Sequence, residues 1–248
     1  MGEAALVWGA LAGYATAAAG ARRERIAGVA LLVALALHTL ALALRWAAHG
    51  HGPFTTMHEI LSSSLWSLAL VFAAAWWALP AVRGALRGAA PVWALLGTWL
   101  LVTDAQPGHF PPTYDTPLLY LHAVVGKLFL GLLLVAVALA LRAAATRSRA
   151  LDELAHRFAA AALVCDTLML IVGAVWAQDA WGRWWGWDPL ESWAFVTWLA
   201  LVATLHARSA WRFGPRAHAA ALVAVFVIAF LTFFGVPFLS AAPHKGAI

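Results

Sequence analysis

The residues best suited to do chemistry in this chain are grouped in one tryptophan-rich segment, residues 181–193. Its leading tryptophans, all within seven residues, are Trp181, Trp184, Trp185 and Trp187. Indole is a large flat ring with a single N–H group, and it prefers the boundary between membrane and water. A dense group of such rings suits a broad planar ligand that keeps one edge in water. Haem is a ligand of this kind.

Histidines on both sides of the segment could bind the iron of such a ligand. A neutral imidazole binds haem iron through either ring nitrogen, and the iron takes one ligand on each face. His122 lies about one turn into an apolar run, and His244 follows another such run by a few residues. Both would lie at the depth of the tryptophans, so they could hold the iron from opposite faces. The alternative for each is a polar residue at the headgroup boundary.

Two other histidines, His38 and His206, fall well inside apolar runs. At roughly 1.5 Å per helical residue both would lie within the hydrocarbon, where a polar side chain is costly and function is the default hypothesis. The two could share a ligand, and the alternative for His38 is a hydrogen bond to a serine or threonine of another helix. His156 and His218 stand beside arginines and are interpreted as ordinary boundary residues.

The charged residues near the tryptophans have structural and functional interpretations. Asp188-Pro189-Leu190-Glu191 is typical of a helix start, with Asp at the N-cap, Pro at the first position and Glu at the third. A second role for Asp188, in orienting a ligand or closing the loop, is left open. Arg183 and Arg45, together with Lys245, are cations that could pair with haem propionates, the alternative being headgroup contact.

Two further charges, Lys127 and Asp166, lie deepest in neighbouring apolar runs. Counting inward from opposite membrane faces places them at similar depth. We therefore predict that they pair or share a polar network.

The elements that position these residues are predicted to be membrane-spanning helices. Of 248 residues, 64% are hydrophobic and 11% are charged, whereas a soluble domain has roughly half and a quarter. The pattern predicts an all-α membrane protein, a polytopic bundle of about eight transmembrane helices in a single domain over residues 1–248. The predicted spans are 4–21, 26–47, 57–79, 88–103, 118–141, 158–180, 193–210 and 219–240.

The distribution of positive charge predicts the orientation of the bundle. Twelve of the sixteen Lys and Arg residues fall in the loops after spans 1, 3, 5 and 7 or, for Arg208, at the adjoining end of span 7. By the positive-inside rule these loops face the cytoplasm, so both termini and the tryptophan segment lie outside, on the periplasmic or extracytoplasmic side. The net charge of +5 could suggest binding to nucleic acid, but the placement of the basic residues in short loops between apolar runs argues against it. The single cysteine, Cys165, excludes a Cys-x-x-Cys-His haem-attachment site within the chain.

On these residues the sequence resembles the haem-handling proteins of cytochrome c maturation, most closely the CcsA (ResC) type of the system II pathway. Residues 181–195 look like the tryptophan-rich (WWD) external motif of that family. Residues 44–46 and 51–59 resemble the family's outer segment between its early helices. Residues 121–122 and 234–244 resemble its two flanking external histidine segments. The sequence departs from the family at three positions. Leu190 stands where the family usually has lysine, Gly186 where it often has serine, and His58 where tyrosine is expected. No role is assigned to His51, His58 or His109.

The resemblance implies a bacterial cytoplasmic-membrane protein that binds haem b and presents it for covalent attachment to apocytochrome c. It implies that His122 and His244 are the external axial pair, and that His206 belongs to a transmembrane haem site whose second histidine is His38 or a residue of a companion subunit. The implied partners are a CcsB/ResB-like membrane subunit, apocytochrome c and the thiol-reducing proteins that act upstream. No catalytic side chain is required, because the substrate supplies the thiols.

Three alternatives remain. A CcmC-like protein would load haem onto a separate chaperone. A b-type carrier that oxidises quinol would hold a permanent haem between His38 and His206. A transporter would use the histidines to relay protons and would bind no haem.

Overall fold

The computed structural model describes residues 2–108, 114–211 and 213–239, and within these ranges the regular structure is helical, with no strand. The helices are α1 (Glu3–Ala19), α2 (Glu24–His49), α3 (Met57–Ala78), α4 (Pro80–Arg83), α5 (Leu86–Leu101), α6 (Pro117–Thr146), α7 (Arg149–Trp181), α8 (Pro189–Ala210), α9 (Pro215–Phe234) and α10 (Val236–Leu239).

Six of these helices, namely α2, α3, α6, α7, α8 and α9, are long and apolar enough to cross a bilayer. Spanning a hydrocarbon core of about 30 Å takes roughly 20 helical residues. The remaining two predicted spans coincide with α1 and α5, which have 17 and 16 residues, and Pro91 lies inside α5. The prediction of an all-α, polytopic membrane protein is confirmed.

Local sequence signals set most helix starts. Thr116 and Ser148 cap α6 and α7 by accepting hydrogen bonds from the third helical N–H, each at 3.3 Å. Pro117 then occupies the first turn of α6, where its missing N–H is no loss. Helix α7 begins nine residues before the predicted span at 158, because charged residues after Ser148 end the apolar run without breaking the helix.

The chain divides into two compact units, residues 1–108 and 109–248. In the first, α1 packs along α2, and α3 packs against α2 and α5. The contact of α1 with α2 is close, since a Cβ added to Gly13 would lie 2.8 Å from that of Ala34. The core of this unit includes Leu61, Leu65 and Phe72, which are fully buried.

In the second unit, α6 and α7 pack along each other, and α9 packs against α6 and α8. Phe129, Leu133, Trp176 and Phe234 are fully buried in its core. This unit carries His122 on α6, the tryptophan-rich segment between α7 and α8, and His206 on α8. The single haem-handling domain predicted for residues 1–248 stays a prediction.

Candidate functional site

His122 lies in the second turn of α6 and is half-buried. Its Nδ1 lies 3.0 Å from the backbone carbonyl oxygen of Met169 on α7. Because a carbonyl oxygen only accepts, Nδ1 carries the hydrogen and donates it, which leaves the lone pair on Nε2. Histidines that bind metals commonly have this arrangement, in which one ring N–H is held by a carbonyl or carboxylate and the other nitrogen binds the metal. The imidazole of His122 is therefore oriented as a ligand that would bind iron through Nε2.

Two residues of α7 fix the position of this ring. A Cβ at Gly173 would lie 2.8 Å from Cε1 and 2.9 Å from Nδ1 of His122, so only glycine admits the imidazole so close to the helix. Trp176, three residues further on, stacks on the imidazole with ring centroids 6.2 Å apart and planes inclined by 24°. Glycine and tryptophan one turn apart thus form a seat for His122, a feature that the sequence analysis missed.

Trp176 also links His122 to the tryptophan-rich segment. Its buried indole makes edge-to-face contacts with Tyr114, at 5.2 Å, and with Trp181, at 4.9 Å. Trp181 is the last residue of α7 and the first of the tryptophan-rich segment. The structure therefore brings His122 and Trp181 together through one shared aromatic neighbour.

The segment between α7 and α8 is held in an unusual backbone conformation. Gly182 ends α7 with a φ of 73°, and its N–H bonds to the carbonyl of Gln178 at 3.0 Å. Trp187 has a φ of 54°, in the left-handed region that bulky residues rarely adopt. Such strain persists only where surrounding contacts enforce it, and it is concentrated at functional sites.

The contacts that enforce it come from Asp188 and Glu191, which form the predicted capping box at the start of α8. Asp188 accepts from the N–H of Glu191 at 2.9 Å, and Oε2 of Glu191 accepts from the N–H of Asp188 at 3.3 Å. The same oxygen accepts from the N–H of Gly186 at 2.7 Å. Both carboxylates are buried. The capping role is confirmed, and Glu191 closes the loop as well.

The indoles of the segment differ in exposure and do not form the single flat sheet expected. Trp184 and Trp187 are 58% and 68% exposed, whereas Trp185 is less exposed. The planes of Trp185 and Trp187 cross at 82°, and Phe195 of α8 meets both edge to face. Edge-to-face contact is a preferred geometry for aromatic pairs, because ring edges are positive and faces negative. The indoles most open to a ligand are those of Trp184 and Trp187.

Arg183 is exposed, and its guanidinium lies over the backbone of Gly186. A Cβ at position 186 would lie 2.5 Å from the guanidinium carbon. Glycine at this position, where the resembled family often has serine, therefore lets the arginine lie flat against the loop. The cation is held beside the exposed tryptophans, where it could pair with an anionic group.

The other two predicted iron ligands are His244 and His206. His244 lies outside the described residues, so its pairing with His122 stays a prediction. His206 is exposed on the surface of α8, and the ring of Trp211 meets it edge to face at 5.8 Å.

His38 is fully buried, and both of its ring nitrogens are hydrogen-bonded within its own unit. Nδ1 lies 3.1 Å from the hydroxyl of Tyr14 on α1, and Nε2 lies 2.9 Å from that of Ser62 on α3. This is the helix–helix hydrogen bond that the sequence left as the alternative. Binding iron through His38 would require one of these bonds to break.

Arg45 is the centre of a buried ionic network. Its nitrogens donate to Glu59 at 2.8 Å, to Glu3 at 3.0 Å and to the carbonyl of Ala105 at 2.9 Å, and its side chain is 3% exposed. Glu59 also accepts from the hydroxyl and N–H of Thr55. These contacts join α1, α2, α3 and the segment after α5. A contact of Arg45 with a propionate stays a prediction.

Two interpretations of the remaining polar residues were wrong. His218 is not an ordinary boundary residue: it is fully buried and lies 2.7 Å from Asp152. The predicted direct pairing of Lys127 with Asp166 is also wrong, because neither carboxylate oxygen of Asp166 has a hydrogen-bond partner among the described residues. Equal depth does not place two side chains on facing sides of their helices.

Comparison with known proteins identifies the family. The family model described as "Cytochrome C assembly protein" matches residues 24–244, so the chain belongs to that family. The "Cytochrome c biogenesis protein CcsA" of Prochlorococcus marinus strain MIT 9312 is 42% identical over 100 residues, which are 40% of this chain and 32% of that protein. The protein of the same name from strain MIT 9301 is 41% identical over 100 residues, with the same two shares. The matched segment thus spans about a third of the length of these relatives.

A solved structure shares the fold. The "Cytochrome c Heme Lyase CcmF" superimposes on 99% of this chain and on 48% of its own, with a TM-score of 0.76 and 21% identity. The predicted resemblance to cytochrome c biogenesis proteins of the CcsA type is confirmed. The chain is a multi-pass membrane protein of cytochrome c assembly.

Proposed function

We propose that this protein binds haem at the outer face of the bacterial cytoplasmic membrane and presents it for covalent attachment to apocytochrome c. Family membership and the printed names of its relatives, cytochrome c biogenesis protein and haem lyase, support this reaction class. The observation that carries the proposal is the orientation of His122. Its Nδ1 donates to a carbonyl, its Nε2 holds the lone pair, and Trp176 joins it to the exposed tryptophan-rich segment.

In this proposal His122 and His244 bind the iron from opposite faces. The exposed rings of Trp184 and Trp187 contact the apolar porphyrin, and Arg183 pairs with a propionate. The protein contributes proximity and orientation, and two imidazole ligands tune the iron. Each thiol of apocytochrome c then adds across a haem vinyl group. A carbon–sulfur bond forms, the thiol proton ends on the neighbouring vinyl carbon, and nothing leaves, so no side chain of this protein need act as nucleophile.

We propose that His206 binds a second haem within the membrane and that its opposite ligand comes from a companion subunit of the CcsB/ResB type. Two features support a ligand from another chain. His206 is exposed on α8, whereas both ring nitrogens of His38 are hydrogen-bonded. An imidazole on an exposed face of a membrane span is costly unless a ligand or partner covers it.

The test is an absorption spectrum of the purified protein and of its histidine variants. His122→Ala and His244→Ala should each abolish or shift one low-spin haem signal, and His206→Ala should affect a separate one. His49→Ala is the control, since this histidine is outside the proposed sites and its replacement should change nothing. Spectra untouched by His122→Ala and His244→Ala would refute the external site.

A second measurement separates the proposed synthase from the alternatives. Co-purification with a CcsB-like subunit and covalent haem on a co-expressed apocytochrome are expected. Transfer of haem to a soluble chaperone without ligation would indicate the CcmC-like function, and stable haem with quinol-dependent reduction would indicate an electron carrier.

A further inference from the structure

A second polar cluster, outside the proposed haem sites, lies where the start of α7, the end of α8 and the start of α9 meet. Its centre is Asp152, which is 2% exposed. One carboxylate oxygen of Asp152 lies 2.7 Å from Nδ1 of His218, and the other lies 2.8 and 2.7 Å from Nε and Nη2 of Arg208. Arg208 is two residues beyond His206, at the end of α8 opposite the tryptophan-rich segment. All members of the cluster belong to the same compact unit.

Two ring nitrogens of this cluster have no hydrogen-bond partner among the described residues. They are Nε2 of His218, whose side chain is fully buried, and Nδ1 of His156, which is itself a buried atom. His156 lies one turn after Asp152 on α7, and its ring centroid is 5.9 Å from that of His218. A buried ring nitrogen without a partner is unfavourable. Because the two rings are neighbours, one ligand between them could satisfy both nitrogens.

The bond to Asp152 indicates what kind of ligand suits this site. Nδ1 of His218 donates to the carboxylate, so in the neutral ring Nε2 carries the lone pair, which suits an electron-pair acceptor. A carboxylate behind an imidazole is the usual support for a metal-binding histidine, because it fixes the tautomer and raises the basicity of the free nitrogen.

We propose that His156 and His218 bind one borderline transition-metal ion, such as Zn²⁺, through these two nitrogens. At metal–nitrogen distances of about 2.0–2.1 Å, two imidazoles that share an ion have ring centroids roughly 5–6 Å apart, and the observed separation lies in this range. Two cations near the site are already paired, since Arg208 pairs with Asp152 and Arg157 with Glu153.

The protein supplies two ligands in this arrangement, because both oxygens of Asp152 are already engaged. Consistent with this, no group of three or more His, Cys, Asp or Glu side chains is arranged to hold a metal ion in the described part of the chain. Solvent would complete the coordination on the side of half-exposed His156. The ion would tie α7 to α9, while Asp152 ties both to α8.

The test measures Zn²⁺ bound by the purified full-length protein after equilibrium dialysis, using elemental analysis. Wild type should bind one Zn²⁺ that His156→Gln weakens by tenfold or more, and Asp152→Asn should weaken it by about 10–100-fold through loss of the support behind His218. His156 is half-exposed, so its replacement leaves the fold intact, which thermal unfolding verifies.

The control is His49→Gln, since His49 stacks on His51 at 6.2 Å and offers a similar pair of rings elsewhere. Zn²⁺ binding that His49→Gln removes and His156→Gln leaves unchanged would refute the site, as would no binding at all, which would assign the cluster to a bridging water. The haem spectrum should be the same in His156→Gln and His49→Gln as in wild type, so the outcome is independent of the proposed haem function.

Discussion

Replacing Gly173 by alanine tests whether the close seat of His122 on α7 matters for haem. The added Cβ would lie 2.8 Å from the imidazole, whereas ordinary contact begins at 3.4 Å, so the ring must retreat by about 0.6 Å. That movement weakens the bond from Nδ1 to Met169, worth about 1 kcal/mol, and disturbs stacking on Trp176. We expect haem affinity to fall about fivefold or more, since 1.4 kcal/mol corresponds to a factor of ten.

If the close approach of His122 to Gly173 is unimportant, the same substitution should raise the stability of the protein and leave haem affinity unchanged. Alanine inside a helix is about 1 kcal/mol more favourable than glycine, so Gly173→Ala should stabilise α7 wherever the added methyl group meets no obstacle. The assay is haem titration followed by absorbance, together with thermal unfolding of the haem-free protein. Gly214→Ala, at the N-cap of α9, is the control for haem affinity, because a Cβ there meets nothing within 4 Å. A higher melting temperature with unchanged haem affinity would refute the reasoning.

Three further predictions concern buried polar contacts. Glu191→Gln removes the charge from the group that accepts hydrogen bonds from two loop N–H groups. We expect roughly 1.5–3 kcal/mol lower stability and faster proteolysis in the tryptophan-rich segment. The control is Glu153→Gln, which changes an exposed ion pair and should show neither effect. Arg45→Met leaves the carboxylate of Glu59 buried without its cation and should lower stability by about 3–5 kcal/mol in thermal unfolding; an unchanged melting temperature would contradict this. Tyr14→Phe removes one hydrogen bond to the buried histidine of α2 and should cost about 1 kcal/mol, whereas no loss of stability would show that bond to be dispensable.

The sequence predicted what depends on local signals. Long apolar runs predicted α1, α2, α3, α5 and α8 to within four residues at both ends, and α6, α7 and α9 less closely. These runs mark helices because the backbone in lipid must satisfy its own hydrogen bonds. The capping box of Asp188 and Glu191 was predicted because its residues lie three apart and contact one another directly. The start of α7 was predicted nine residues too late. Charged residues mark the end of the membrane-spanning part of a helix, but the helix itself can continue through them.

Contacts between distant residues were beyond the sequence. Asp152 and His218 are 66 residues apart, and nothing in either neighbourhood predicts their hydrogen bond. The contact of His122 with Gly173 could not be predicted, because a glycine in the sequence indicates that some group packs closely against it but does not indicate which group. Depth counting failed for Lys127 and Asp166, because it predicts height in the membrane and not the side of the helix on which a residue lies.

The position of His206 follows from how α8 is held. Its start is fixed by the capping box of Asp188 and Glu191, and its end by the pairing of Arg208 with Asp152. A helix held at both ends presents one constant face, and the exposed residues of that face are Trp193, Val196, Leu199, Ala203 and His206. Four of these five are apolar, as lipid or a packed helix requires, and the fifth is a ring that lipid does not favour. Exposure of His206 is thus a consequence of two fixed ends, and in the proposed function a ligand or a neighbouring subunit covers it.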